Sequence, residues 1–274
     1  MRTFVGMVLL SVGLSGNAVS LAQESGEEQQ RAEAALQLTR DLASKYKFYP
    51  ADGSEPCLFM PQPILRWSNP ERGQIFGNVF LWTHAGRPLA VGSLYKWYSP
   101  FTHMSHEYHS LTTGGLRATY EGKEVWKISE KGVTFQELPE APDVAATPAA
   151  RLTQMRQLAR RFTATATDAN EKVTTLRLLS QPVYRYELTS DTEDGALFAF
   201  VEGTDPEVWL LLEARSNTGK PPLQWSYALA RMNSVTMAVD YQGTEVWRVA
   251  PIAHKEFATH LKPYTKYHFD GPKP

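Results

Sequence analysis

A group of side chains near the middle of the chain could carry chemistry. His103, His106 and His109 recur every three residues, Glu107 lies among them, and His84 precedes the group. Imidazoles and a carboxylate can bind a divalent metal ion or transfer protons near neutral pH. The group therefore predicts a ligand-binding site, with His103, His106 and His109 as candidate ligands if that site holds a metal ion.

Strand geometry limits what this group can do. On a strand, His106 and His109 point to opposite faces, and only a bend or a helical turn would bring three imidazoles together. The spacing also matches no HExxH pattern. Three interpretations stay open: solvated loop histidines, hydrogen-bonding groups of a ligand pocket, and a metal or catalytic site. The sequence predicts no cofactor.

The elements that position this group belong to a repeated unit. Tyr120–Trp126 (YEGKEVW) returns as Tyr241–Trp247 (YQGTEVW), and Gln62–Trp67 matches Gln181–Tyr186. A period of about 120 residues is too long for a solenoid and indicates two tandem domains or two pseudo-symmetric halves. In the second copy, Gln224 and Trp225 align with His106 and Glu107. The fold itself therefore does not require the candidate site residues.

Periodicity indicates the same plan in each half. Glu24–Tyr46 has its apolar residues on one stripe, and an equivalent helix can begin at Thr147 and Pro148 with a stripe that runs to Phe162. Short aromatic and β-branched segments, among them 78–83 and 89–97, follow each helix and predict antiparallel strands. The predicted fold class is α+β: an internal duplication in which each half has one helix followed by a four- to five-stranded antiparallel sheet.

The predicted boundaries follow from this plan. A linker rich in Pro and Ala separates the halves, and a tail with three histidines follows the second half. We expect this tail to lie loosely over the second unit or to be partly disordered. The segments are a signal peptide (1–22), a first α+β unit (23–136), the linker (137–147), a second α+β unit (148–250) and the C-terminal tail (251–274).

The N-terminus predicts export. Arg2, the apolar run Phe4–Leu14 and the small residues of Ser20–Ala22 are typical of a secretory signal that is cleaved before Gln23. The run is shorter than the roughly 20 apolar residues that span a bilayer, so a membrane anchor is the weaker alternative. We expect a periplasmic or extracellular protein without membrane insertion of the mature chain. A formal charge of −1 gives no field that would attract nucleic acid.

Four segments carry a resemblance to a known family. They are LRWSNP (65–70), GRP (86–88), HEYHSL (106–111) and GALFAFVEGTDPE (195–207). Together they resemble an uncharacterised family of exported proteins of planctomycete-type bacteria. The resemblance implies export and a two-part plan. Because that family has no assigned activity, the resemblance implies no catalytic residue.

The sequence favours a non-catalytic exported module that binds a small molecule or another protein. It contains no Gly-rich phosphate loop, no G-x-S-x-G elbow and no Cys/His nucleophile pair. This function predicts an aromatic-lined cleft without clustered titratable groups. The alternative is a metal-assisted or acid/base hydrolase centred on His103, His106, Glu107 and His109, which predicts that the histidines lie within reach of one metal ion.

Overall fold

Antiparallel strands dominate the structure. The computed structural model describes residues 15–51, 53, 55–187, 194–216, 222–257 and 260–269. Within these ranges the chain forms helices α1 (Ser15–Ser44) and α2 (Pro148–Ala159) and the single turn α3 (His254–Phe257). The strands are β1 (Tyr46–Pro50), β2 (Leu58–Phe59), β3 (Leu65–Ser68), β4 (Gln74–His84), β5 (Arg87–Ser99), β6 (Met104–Ser110), β7 (Leu116–Tyr120), β8 (Lys123–Ile128), β9 (Gln136–Glu137), β10 (Phe162–Thr167), β11 (Val173–Leu178), β12 (Tyr184–Glu187), β13 (Asp194–Glu202), β14 (Asp205–Arg215), β15 (Gln224–Arg231), β16 (Thr236–Tyr241), β17 (Thr244–Val249) and β18 (Tyr264–Phe269).

The predicted α+β fold class is wrong. Strands make up far more of the described residues than helices do, and they form three sheets that include a half-barrel rather than two helix-plus-sheet units. Part of the error is local. The sequence pattern places Tyr46 and Phe162 at the ends of helical stripes, whereas they begin β1 and β10. The alternating threonines of β10 favour an extended backbone, because β-branched side chains lose rotamer freedom in a helix.

Helix α2 begins where the sequence predicts it. Thr147 has an extended backbone, its Oγ1 accepts a hydrogen bond from the Ala150 amide at 3.3 Å, and Pro148 occupies the first turn. A capping hydroxyl satisfies one of the amides that a helix start leaves without a partner.

A buried carboxylate ties α2 to the neighbouring sheet. Asp194 accepts hydrogen bonds from Arg151 Nε of the helix at 2.8 Å and from Arg185 Nη2 of β12 at 2.6 Å. Asp194 is fully buried, so both arginines compensate a charge that water cannot reach. Arg151 is therefore a structural contact of α2 and not part of its solvated face.

Three sheets organise the strands. β1, β7 and β8 form a three-stranded sheet in the order β1-β7-β8. A six-stranded sheet has the order β18-β6-β5-β4-β2, with β3 also paired to β4. A nine-stranded sheet has the order β17-β16-β10-β11-β13-β14-β15-β9, with β12 also paired to β13. The predicted boundaries of the two units stay predictions.

The six-stranded sheet is covered on both faces. One face packs against the nine-stranded sheet, where Trp67 and Leu81 meet Leu197 and Trp209 in a common core. The other face packs against the three-stranded sheet through a second core of aromatic rings. Its largest members are Phe48, Phe80, Trp82, Tyr108 and Trp126. Because side chains alternate along a strand, neighbouring residues of this sheet enter different cores.

The repeated motif forms a hairpin in each half of the chain. Gly122 joins β7 to β8 and Gly243 joins β16 to β17, each with φ of +82°. A backbone with positive φ at both central turn residues matches the twist of the strands, and glycine adopts it without a Cβ clash.

The C-terminal segment behaves differently from the expectation. β18 pairs antiparallel with β6 in the six-stranded sheet, with Tyr264 opposite His109 and Lys266 opposite Glu107. Tyr264 and Thr265 are buried. The predicted loose tail over the second unit is therefore wrong, because this segment completes a sheet that the first half of the chain begins.

Among the described helices, none is both long enough and apolar enough to cross a lipid bilayer.

Candidate functional site

Strand β6 carries most of the predicted site residues and sends them to two faces. Glu107 and His109 lie on the face toward the nine-stranded sheet, near Asp205 and Arg231 respectively. His106 lies on the opposite face, toward β1. The structure therefore separates His106 from the other two residues, as strand geometry requires.

His106 is sealed in the core between the six- and three-stranded sheets. It is 1% exposed, and its Nδ1 shares a hydrogen bond of 2.9 Å with the hydroxyl of Tyr46. Its Nε2 has no hydrogen-bond partner among the described residues. Burial lowers the pKa of His106 to about 3, because removal from water disfavours the charged imidazolium. His106 is therefore neutral and structural.

Glu107 sits in a polar network on the other face. Tyr95 donates its hydroxyl to Glu107 Oε1 at 2.7 Å, and Lys266 of β18 forms an ion pair with the same oxygen. Burial raises the pKa of Tyr95, and the neighbouring carboxylate raises it further, so the phenol stays a donor. These partners occupy the Glu107 oxygen that would otherwise be available to a ligand.

Two carboxylates of β14 extend this network. Glu207 lies where the register of β13 and β14 shifts, and such a bulge re-aims a side chain. Its Oε2 accepts a hydrogen bond from Asn233 Nδ2 at 2.6 Å. Burial raises the pKa values of both Asp205 and Glu207. The charge of Glu207 raises the pKa of Asp205 further, and the charge of Glu107 raises the pKa values of both. Asp205 and Glu207 therefore bind protons more readily than exposed carboxyls do.

His109 lies in the wall of an open cavity between the edges of the two large sheets. The cavity has a volume of about 450 Å³ and is bounded by β6, β15, β17, β18 and the segment around α3. We name it the Arg231 pocket. Its polar wall includes His109, Arg231 and Tyr264, and its apolar wall includes Leu229, Trp247 and Ile252.

The protonation state of His109 follows from its contacts. Its Nδ1 lies 2.7 Å from the carbonyl oxygen of Ser110, which can only accept, so Nδ1 carries the hydrogen. Burial lowers the pKa of His109 to about 4, and the positive charge of Arg231 acts in the same direction. At neutral pH the imidazole therefore adds no charge to the pocket, and its Nε2 is an acceptor.

Arg231 is the unusual member of this wall. It is 6% exposed and donates to three main-chain carbonyls, those of Asn233 at 2.7 Å, Ala250 at 2.8 Å and Val235. Its guanidinium also lies 5.8 Å from the ring centre of Tyr264. Burial lowers the pKa of Arg231 to about 10, so the group stays charged at neutral pH. Arg231 forms no ion pair with a carboxylate of the described residues.

The remaining predicted site residues lie elsewhere. His103 precedes β6 and packs its ring 5.9 Å from Trp97 and 5.4 Å from His268. His84 is exposed at the end of β4, beside a separate surface cavity. The described residues contain no group of three or more His, Cys, Asp or Glu side chains that could hold a metal ion. Of the predicted group, only His109 contributes to the Arg231 pocket.

Sequence reasoning missed the partners of His109. Arg231, Trp247 and Tyr264 come from three strands that lie far from His109 in the sequence. The repeated hairpin motif favours a core role for Trp247, as observed for Trp126, yet Trp247 is only partly buried and faces the pocket. No local pattern distinguishes these residues from ordinary strand residues.

The fold and the site define a mostly β protein of three sheets, with a polar-walled pocket between two sheet edges. Comparison of the chain with protein-family models, with curated proteins and with solved structures found no significant match. The resemblance to exported planctomycete-type proteins stays a prediction.

Proposed function

We propose that this protein is an exported, non-catalytic module that binds a small molecule in the Arg231 pocket. One observation carries the proposal: three buried polar side chains, His109, Arg231 and Tyr264, line a single open cavity although they come from three different strands. Ligand sites are typically concave and largely apolar, with a few convergent polar groups that orient the ligand. The partly exposed ring of Trp247 supplies the expected aromatic wall, whereas the titratable side chains of the polar wall differ from the expected cleft without clustered titratable groups.

The geometry gives the hydrolase alternative little support. A metal-assisted or acid/base mechanism needs its candidate groups within reach of one bound ion or substrate. Glu107 is held by Tyr95 and Lys266, and His106 faces a different core.

Thermal melting of the purified exported protein tests the binding function. The native chain is melted with a panel of small organic molecules and divalent metal ions, and ligands that bind the native state raise the melting temperature. We expect a small molecule to raise it in the native chain and in Phe101→Ala, an exposed aromatic residue outside the pocket. The same molecule should have no effect on Trp247→Ala. A shift that Trp247→Ala retains would refute the proposed site.

Export is tested separately by the mass of the secreted chain. The signal-like segment extends over residues 1–22, of which 1–14 lie outside the described residues. The proposal expects a mature N-terminus at Gln23 and recovery from the periplasm or the medium. Recovery of the intact chain from the cytoplasm would contradict it.

A further inference from the structure

We infer that the Arg231 pocket recognises a small organic monoanion, a carboxylate attached to an apolar or aromatic body. The inference rests on the proposed binding function and names the ligand class of that site. Its basis is the charge balance of the pocket wall.

A buried cation normally has an anionic partner. Moving an ion out of water costs several kcal/mol, and proteins offset this cost by pairing the charge. Asp194 shows the usual arrangement in this chain, with Arg151 and Arg185 around one carboxylate. Arg231 is buried to a similar extent but forms no ion pair with a carboxylate of the described residues. The three carbonyls that it contacts offer partial charges only.

The guanidinium also retains hydrogen-bonding capacity. Arginine has five N–H donors, and the contacts of Arg231 use one from Nε, one from Nη1 and one from Nη2. One hydrogen on each terminal nitrogen is left. Two donors of this kind suit the two oxygens of a carboxylate.

The other charged groups of the wall favour a single negative charge on the ligand. Arg248 is paired with Glu245 at 2.5 Å, and Lys262 with Glu130 at 3.6 Å. His109 is neutral because of its lowered pKa. Glu256, a carboxylate of the same wall, does not attract an anion. A dianion such as a phosphate monoester would therefore be less well compensated than a carboxylate.

The apolar part of the wall indicates that the rest of the ligand is apolar. Leu229, Trp247, Val249, Ile252 and Pro263 surround the polar end with apolar surface. A volume of about 450 Å³ accommodates a ring or a branched aliphatic chain next to the charged group. Aromatic carboxylates are therefore the simplest probes.

Calorimetric titration with matched probes tests the inference. Benzoate and benzamide share ring and shape and differ in charge; phenyl phosphate and inorganic phosphate test the dianion and the bare anion. We expect benzoate to bind roughly tenfold or more tightly than benzamide, because hydrogen bonds to charged groups are the stronger ones. Benzoate should also bind more tightly than either phosphate.

Two variants localise the effect. Arg231→Gln should weaken benzoate binding by roughly 10- to 100-fold and leave benzamide nearly unchanged. Arg248→Gln, a cation of the same wall with an exposed ion pair, should change benzoate affinity by about twofold at most. Because Arg231 also holds three carbonyls, its side-chain ¹⁵N resonances in the native chain provide a second measurement. Benzoate should shift them and benzamide should not.

The outcomes separate this inference from the proposed function. Equal binding of benzoate and benzamide would overturn the inference about the ligand's charge. Arg231 would then have only a structural role, as the donor of hydrogen bonds to three main-chain carbonyls. Tighter binding of phenyl phosphate than of benzoate would contradict the inferred preference for a monoanion. A neutral ligand that binds the native chain but not Trp247→Ala would overturn the anion inference and leave the binding function standing. If no compound of the broader panel binds, the function itself fails.

Discussion

The pH dependence of stability at His106 can be worked out from its surroundings. The folded protein lowers the pKa of this imidazole to about 3 through burial, whereas an unfolded histidine titrates near 6.5. The neutral form is therefore favoured in the fold. Its contribution to stability is fully present above pH 6.5 and is lost as the pH falls from there toward 3.

The size of the loss is set by the unfolded state. Between pH 7.5 and pH 5, the unfolded chain takes up nearly one proton at this residue and the folded chain takes up almost none. The free energy of unfolding should therefore fall by about 2 kcal/mol over this interval on account of His106. The figure holds for any folded-state pKa of about 4 or below, because the native form then stays neutral at pH 5.

Other buried groups obscure this effect in the native chain alone. Burial lowers the pKa of His109 in the same direction, to about 4. The raised pKa values of Asp205 and Glu207 act oppositely, since these carboxyls lose folded-state stability as the pH rises. The measurable quantity is therefore the difference between the native chain and His106→Gln, which cannot titrate.

Urea unfolding followed by tryptophan fluorescence at pH 7.5 and pH 5 provides the assay. The native chain should lose about 2 kcal/mol more than His106→Gln between the two pH values. His84→Gln controls for the removal of an imidazole from an exposed position. If the native chain and His106→Gln lost stability in parallel, the burial argument for His106 would be refuted.

Three further substitutions test the packing and the polar networks. Gly77→Ala should lower the free energy of unfolding by about 1–3 kcal/mol, because the added Cβ would lie 2.0 Å from Cε2 of Trp67. Asp194→Ala should lower it by about 3–5 kcal/mol, since two partly or fully buried arginines lose their partner. Tyr95→Phe should lower it by about 1–3 kcal/mol, because Glu107 loses a hydrogen bond of 2.7 Å in a buried site. Denaturant titrations measure all three.

Each of these substitutions has a matched control in the chain. Gly26→Ala meets no atom within 4 Å in helix α1 and should not destabilise the protein. Glu245→Ala breaks an exposed pair with Arg248 and should have no measurable effect. Tyr98→Phe removes a hydroxyl that donates to the Arg31 carbonyl at the partly exposed edge of the sheet, and its effect should be smaller than that of Tyr95→Phe. If a control variant lowered the free energy of unfolding as much as the corresponding buried substitution, the role assigned to burial would be contradicted.

The sequence predicted those strands and turns whose own residue types indicate their structure. The segments 78–83 and 89–97 are rich in aromatic and β-branched residues, and they lie within β4 and β5. The hairpin at Gly122 was predictable because its backbone needs positive φ. β2 and β9 have two residues each, which is too short for any periodicity. The strand β1 follows α1 so closely that its first residue continues the helical stripe.

The candidate site was predictable only in part. His109 could be found from its residue type, and the opposite orientation of His106 follows from the period of a strand. The role of Arg231 depends on the partners that it lacks, which is a property of the folded structure. Its pocket also needs β18 beside β6, a contact between residues more than half the chain apart. The spacing of residues in the sequence does not predict such a distant contact.

The pairing of β18 with β6 has a consequence for the order of folding. Lys266, the ion partner of Glu107, and Tyr264, part of the pocket wall, both belong to β18. Until β18 docks, β6 is an open edge of the six-stranded sheet, because its other side is paired with β5. A contact of such high sequence separation closes slowly, because a long loop must be ordered first. The docking of β18 therefore completes the six-stranded sheet, the ion pair of Glu107 and the wall of the Arg231 pocket in a single slow step.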